Sequence, residues 1–270
     1  MIETFIVPLF NKERQIRVYL PKSYSSTAMR YPVLYMHDGQ NVFNNHDAIG
    51  GVSLDLHDYL DEHAVDLIVV AIDQNPEGEE RIHEYCPWTN GEFSVKLLGY
   101  QSSAGGKGKA YIDFVVQQLK PLIDRNYRSK ADASYMAGIS LGGLISVYAA
   151  CMYPQVFKRV AGISSGFYRN QEEIEKLAVQ ADLSLLERVY LDCGTNEGRH
   201  DEEISKLALE SNRRVYDILK GKVEDTRFQV IDNGEHHYEA FKKRIPEVLV
   251  SLIGARGKAS AVSTVTNRAD

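Results

Sequence analysis

The chemistry in this sequence centres on one serine. Ser140 stands in the segment GISLGG, with Gly138 two residues before it and Gly142 and Gly143 just after. A serine hydroxyl is a weak nucleophile at neutral pH, so it needs a base within hydrogen-bond reach and a third group to hold that base in the right tautomer. The GxSxG pattern alone arises by chance in about one chain in ten of this length. Its setting carries more weight. The run ASYMAGI before the serine reads as a strand and the segment from Leu141 onward as a helix, which puts Ser140 on the joint of a nucleophile elbow. Such a joint strains the serine backbone by about 1–3 kcal/mol, and glycines at 138, 142 and 143 remove Cβ atoms that would collide with it.

On a sheet that carries its nucleophile this way, the acid and the histidine follow in chain order, each on the loop after a later strand. Beyond the strand candidate ERVYLDCG comes TNEGRHD, where Glu197 can face the sheet edge. Asp192 is the competing acid, but it lies inside the strand, where its side chain points into a sheet face. Beyond TRFQVID comes NGEHHYEAF. There His236 follows a short glycine-containing turn and is preferred as base to His237, which starts the next helix. Acyl transfer also needs donors for a developing oxyanion. The amide of Leu141, at a helix N-terminus, supplies one; the segment MHDGQNVF supplies the other from Gln40, with Gly39 as a substrate-binding position where the backbone can come close.

The elements that must position these groups are legible as patterns. ETFIVPL and RQIRVYLP alternate as an antiparallel hairpin with one buried face. YPVLYMHD, DLIVVAID, ASYMAGIS, FKRVAGISS, ERVYLDCG and TRFQVIDN are apolar, β-branched runs suited to strands buried on both faces of a parallel sheet. Helices are expected over 54–64, 109–124, 141–152, 171–180, 202–220 and 238–253. The fold class is therefore α/β: a mixed, mostly parallel sheet of about eight strands, with helices on both faces. Residues 1–253 form one domain, and 254–270 are expected to be a mobile tail. A long connection over 75–108 breaks the rhythm and carries the single tryptophan, Trp88, as a pocket-lining candidate or a packing anchor.

Composition narrows the partners. With 44% hydrophobic and 25% charged residues the chain is an ordinary globular one. A net charge of -6 with no basic stripe argues against nucleic acid. The N-terminus does not read as a signal peptide, and no 18-residue apolar run exists, so no membrane span is expected. Cys86, Cys151 and Cys193 are too few for a disulfide framework and fit a cytoplasmic location. The segment AGGKGKA lacks the spacing of a phosphate loop, and the histidines and cysteines show no metal-ligand spacing. No cofactor and no metal is expected.

Taken together, RVYLP, YPVLYMHDGQNVF, GISLGG, LDCGTNEG and GEHHYEAF resemble the bacterial putative-esterase family of the α/β-hydrolase superfamily, with its feruloyl esterases, esterase D and enterochelin esterase. The likeness runs from about Arg14 to Ile253. It implies a nucleophile at Ser140, an acid at Glu197, a base at His236 and oxyanion amides at Gln40 and Leu141. Glu235 stands where relatives often have a second glycine, Tyr238 and Phe241 where they have tryptophans, and the acid is glutamate rather than the commoner aspartate. The expected activity is hydrolysis of small acyl or carbohydrate esters through an acyl-enzyme. An acyltransferase or a thioesterase on the same fold is the alternative, and a catalytically silent binding protein a more distant one.

Overall fold

The computed structural model describes residues 1–254, so the tail expected from Gly254 lies, past that residue, outside the described residues. The chain opens with the expected hairpin, β1 (Ile2–Leu9) and β2 (Lys12–Tyr19). Phe10 and Asn11 both take positive φ at its two-residue turn, matching the right-handed twist of the strands. The remaining strands are β3 (Tyr31–Met36), β4 (Ile68–Ile72), β5 (Ser129–Ile139), β6 (Phe157–Ile163), β7 (Arg188–Gly194) and β8 (Thr226–Ile231). They form one eight-stranded sheet in the order β1-β2-β4-β3-β5-β6-β7-β8. β2 is antiparallel to both β1 and β4, and every pair from β4 onward is parallel.

Alternation along the strands builds two cores. Val33, Tyr35 and Met136 point to one face, where they meet helices α4 (Gly108–Phe114), α5 (Lys120–Asn126), α6 (Leu141–Met152), α7 (Gln171–Gln180) and α8 (Glu202–Lys220). Leu34, Met36, Ala137 and Ile139 point to the other, against α1 (Leu56–Glu62), α9 (Tyr238–Lys242) and α10 (Ile245–Ile253). Among the described residues no helix is long and apolar enough to cross a membrane.

Three expected elements differ. The connection over 75–108 contains two short helices, α2 (Glu80–Tyr85) and α3 (Glu92–Leu98). The helix expected over 109–124 becomes α4, a π-helical turn at Val115–Leu119 and α5, with Pro121 in the first turn of α5. A proline inside one continuous helix would remove a hydrogen bond and clash with the preceding turn. The segment 238–253 likewise divides before Pro246 into α9 and α10.

Candidate active site

The candidate residues share one edge of the sheet because β3, β5, β7 and β8 are parallel and each carries its group just past its carboxyl end. Ser140 follows β5 directly and begins α6 with φ 57° and ψ −121°, a conformation that side chains other than glycine rarely hold. Neighbouring strands fix it: its N–H donates to the Ile163 carbonyl at 2.9 Å, and its own carbonyl accepts from Gly166 N–H at 2.7 Å. At Gly138 a Cβ would fall on the Gly142 carbonyl, so the elbow closes only over glycine. Gly142 is different. A Cβ there would first meet His37 Cβ at 3.4 Å, an ordinary contact, so sterics alone do not demand that glycine.

His236 and Glu197 meet at 2.6 Å between Nδ1 and Oε2. The other carboxylate oxygen, Oε1, accepts from the Gly194 N–H at 2.6 Å and the Ser164 hydroxyl at 2.5 Å. Burial pushes the Glu197 carboxyl up. The His236 contact, the Ser164 hydroxyl and the Gly194 N–H outweigh that effect and leave it below its ordinary value, so it is a carboxylate at neutral pH. The His236 ring packs edge-on against Phe241, with centroids 5.1 Å apart. The hydrogen bond between Ser140 Oγ and His236 Nε2 is not made in this structure; catalytic bonds of this kind are often long without substrate.

The two competing residues have other partners. Asp192 is fully buried and points into the sheet face, with Oδ1 accepting from Ser164 N–H at 3.2 Å and from Arg244 Nη1 at 3.1 Å, and Oδ2 accepting from Tyr190 at 3.2 Å. Burial lifts its carboxyl to about 6 against the pull of Arg244. His237 caps α9, its Nδ1 accepting from Ala240 N–H, and its Nε2 meets Glu235 at 3.1 Å.

Gln40 and Leu141 each lie in the opening turn of a helix, where N–H groups lack an intrahelical acceptor. The Gln40 side chain is clamped on the Gln74 backbone, accepting from its N–H at 2.9 Å and donating to its carbonyl at 3.3 Å, which fixes the amide of the same residue. A Cβ on Gly39 would lie 2.6 Å from Asp73 Oδ1 and 2.7 Å from Asp73 N. The close approach made by Gly39 is therefore to the end of β4. A cleft of about 490 Å³ opens beside Gln40, walled by Arg14, Gln15, Asp73, Gln74 and Asn75. Trp88 is half-buried and packs edge-on against Tyr148 of α6 at 5.4 Å, which makes it an anchor for its segment.

Several supporting residues had no place in the sequence reading. Asp38 adopts a left-handed conformation at φ 56°, and its carboxylate is held by Arg81 at 2.7 and 2.9 Å while its N–H donates to Tyr85 at 3.0 Å. Arg81 and Tyr85 are four apart on α2, a spacing that signals one helix face only once a helix is recognised there. Ser164, at φ 44°, accepts from Arg244 at 2.7 Å while donating to Glu197, so Arg244 reaches the acid through a hydroxyl. Among the described residues no cluster of three or more histidine, cysteine or acidic side chains is arranged to hold a metal.

The comparisons with known proteins agree with this architecture. A model of the family described as "Putative esterase" matches residues 8–252. The chain is 30% identical over 246 residues to the uncharacterized protein YbbA of Bacillus subtilis (strain 168), covering 89% of this chain and 93% of that one. Among solved structures, a ferulic acid esterase superposes with a TM-score of 0.65 at 19% identity, covering 93% of this chain and 97% of its own. The siderophore hydrolase EstA of Aspergillus nidulans gives a TM-score of 0.74 at 15% identity, with 94% and 95% covered. At those identities the likeness establishes the fold, the α/β-hydrolase fold, whereas the family match spans nearly all the described residues. The chain thus belongs to the "Putative esterase" family and is a carboxylic ester hydrolase.

Proposed function

We propose that Ser140 attacks the carbonyl carbon of a carboxylic ester while His236 takes its proton. Glu197 holds His236 with Nδ1 protonated and Nε2 free to accept, and it stabilises the imidazolium that forms. The amides of Gln40 and Leu141 donate to the oxyanion, which develops at a helix N-terminus where negative charge is favoured. Collapse of the tetrahedral intermediate expels the alcohol, protonated by His236, and leaves an acyl-serine. Water, deprotonated by the same imidazole, then releases the acid and restores the enzyme. The observation that carries this reading is the 2.6 Å Glu197–His236 contact, made at the edge of the sheet where Ser140 is held at positive φ.

The substrates proposed are small acyl or carbohydrate esters of acetyl or feruloyl type. A ferulic acid esterase and a siderophore hydrolase on this fold both bear on that choice. The continuity of one sheet from Ile2 to Ile231 supports residues 1–253 acting as one catalytic unit.

The test is Ser140→Ala. The variant should lose at least about 10³-fold of 4-nitrophenyl acetate hydrolysis and all stoichiometric labelling by a fluorophosphonate, while keeping the wild-type circular dichroism spectrum. Turnover at the wild-type rate by the folded variant would overturn the assignment.

A further inference from the structure

Five arginines are buried among the described residues, and four have a carboxylate partner. Arg14 pairs with Glu84, Arg17 with Asp73, Arg188 with Asp225 and Arg244 with Asp192. Arg169 has none. It is 7% exposed, its Nε has no hydrogen-bond partner, and its one side-chain bond runs from Nη1 to the Asn90 amide oxygen at 3.5 Å. Nearby groups offer no counter-charge. Glu172, three residues on, gives its carboxylate to the Phe93 N–H at 2.8 Å. Cys86 is a neutral thiol, pushed up to about 12 by burial despite the field of Arg169. The Asn90 Nδ2, also buried, is a second donor without an acceptor.

A guanidinium cannot escape burial by losing its proton, and an unpaired buried charge is among the costliest features a fold can carry. Its position suggests what it is for. Arg169 lies on the loop after β6, in a single turn closed by its N–H to the Gly166 carbonyl at 3.2 Å. That turn keeps its Cα within about 7 Å of Gly166. Gly166 abuts the elbow: its N–H binds the Ser140 carbonyl, and a Cβ on it would stand 3.2 Å from the Leu141 amide nitrogen. Across the gap, Asn170 fastens the segment bearing Trp88 and Asn90 to this loop through the carbonyls of Trp88 and Thr89, at 3.0 and 2.9 Å. The unpaired donors therefore sit on two segments tied to each other, one of which also abuts the elbow through Gly166.

We infer that Arg169 and Asn90 form an anion subsite, and that this esterase prefers esters whose acyl group carries a carboxylate several bonds from the scissile carbonyl. A carboxylate placed there would take the paired donors of the guanidinium, with Asn90 Nδ2 as a further donor. The inference rests on the proposed Ser140 site and narrows its substrate to acidic acyl groups, such as half-esters of dicarboxylic acids.

Mono-(4-nitrophenyl) glutarate and 4-nitrophenyl pentanoate differ only by a terminal carboxylate in place of a methyl group. Wild type should favour the glutarate, and Arg169→Met should lower kcat/KM for it by about 10- to 100-fold while changing the pentanoate less than about threefold. Arg169→Lys should recover part of the loss. Because the replaced charge is uncompensated, Arg169→Met should melt no lower than wild type, whereas a merely structural arginine would lower Tm. Calorimetric titration with glutarate, as a probe free of turnover, should show binding that Arg169→Met abolishes. Equal losses on both esters, or no wild-type preference and no glutarate binding, would overturn the subsite. Arg169-dependent glutarate binding in an enzyme that hydrolyses neither ester would instead overturn the nucleophile assignment and leave the subsite standing.

Discussion

The sharpest perturbation of the candidate relay is Glu197→Gln, because the structure dictates how the new amide must face. Glu197 Oε1 accepts from the Gly194 backbone N–H, which cannot rotate away or become an acceptor. A glutamine must therefore put its oxygen at the Oε1 position, which places its NH2 at the Oε2 position, 2.6 Å from His236 Nδ1. There it donates, and His236 must answer with an unprotonated Nδ1. The ring proton then sits on Nε2, facing the nucleophile, and the base is lost by tautomer although no atom has moved. Loss of the correct tautomer in a serine relay lowers the rate by about 10⁴; at about 1.36 kcal/mol per decade that is roughly 5 kcal/mol of transition-state stabilisation. Asp192→Asn is the comparison. Asp192 touches Ser164, Tyr190 and Arg244 but not His236, so its loss should lower kcat/KM by no more than about tenfold. Both variants are to be assayed at pH 8 with 4-nitrophenyl acetate, with circular dichroism as the check on folding. A folded Glu197→Gln enzyme retaining a tenth of wild-type kcat/KM, or an Asp192→Asn enzyme impaired as severely, would refute the reasoning.

Other outcomes follow from individual contacts. Gly39→Ala forces a Cβ against the Asp73 backbone and must displace the Gln40 amide, so kcat should fall about 10²-fold with little change in KM, read from steady-state kinetics. His37 is fully buried, bonded through Nδ1 to Tyr111 at 2.8 Å, and burial lowers its pKa to about 4. With the folded value below the unfolded one of about 6.5, full stability is present above pH 6.5 and about 3 kcal/mol is lost as pH falls to 4; urea unfolding across that window should show it, and His37→Gln should flatten the slope. The three buried cysteines have thiol pKa values raised by burial, to about 12 for Cys86 and Cys151. Native protein should therefore react negligibly with a thiol-specific disulfide reagent over an hour at pH 8 and release all three equivalents in denaturant.

The sheet was legible because strands covered on both faces must be apolar throughout, and runs such as YPVLYM and LIVVAI have few other uses. The longer helices were legible, and so was the seven-residue α1. α2 and α3, six and seven residues inside a polar, glycine-rich connection, were not, and what holds them is tertiary. Phe93 and Leu97, four apart on α3, bury against Leu207 of α8, more than a hundred residues away in sequence. The break at Val115–Leu119 was signalled by Pro121 but masked by the apolar stripe that continues through it, since Val115 and Leu119 remain in the core across the π turn.

Ser140, Glu197 and His236 were legible as candidates because each follows the carboxyl end of a parallel strand, where the chain must turn. The residues that hold them were not. Ser164 reaches Glu197 because β6 and β7 are in parallel register with Ile163 opposite Asp192, which sets the residue after one strand beside the loop after the next. Arg244 joins them from the turn between α9 and α10, eighty residues from Ser164. Its charge is legible in the sequence; its partners are created by folding. The same reasoning separates Arg244 from Arg169. Both are buried cations at this edge of the sheet, yet the fold brings two carboxylates toward Arg244, Asp192 at 3.1 Å and Glu197 at 3.9 Å, and none toward Arg169. Among the described residues the fold gives every other buried guanidinium a carboxylate and leaves Arg169 without one, and in the reading proposed above the anion that fills that place is an acidic substrate.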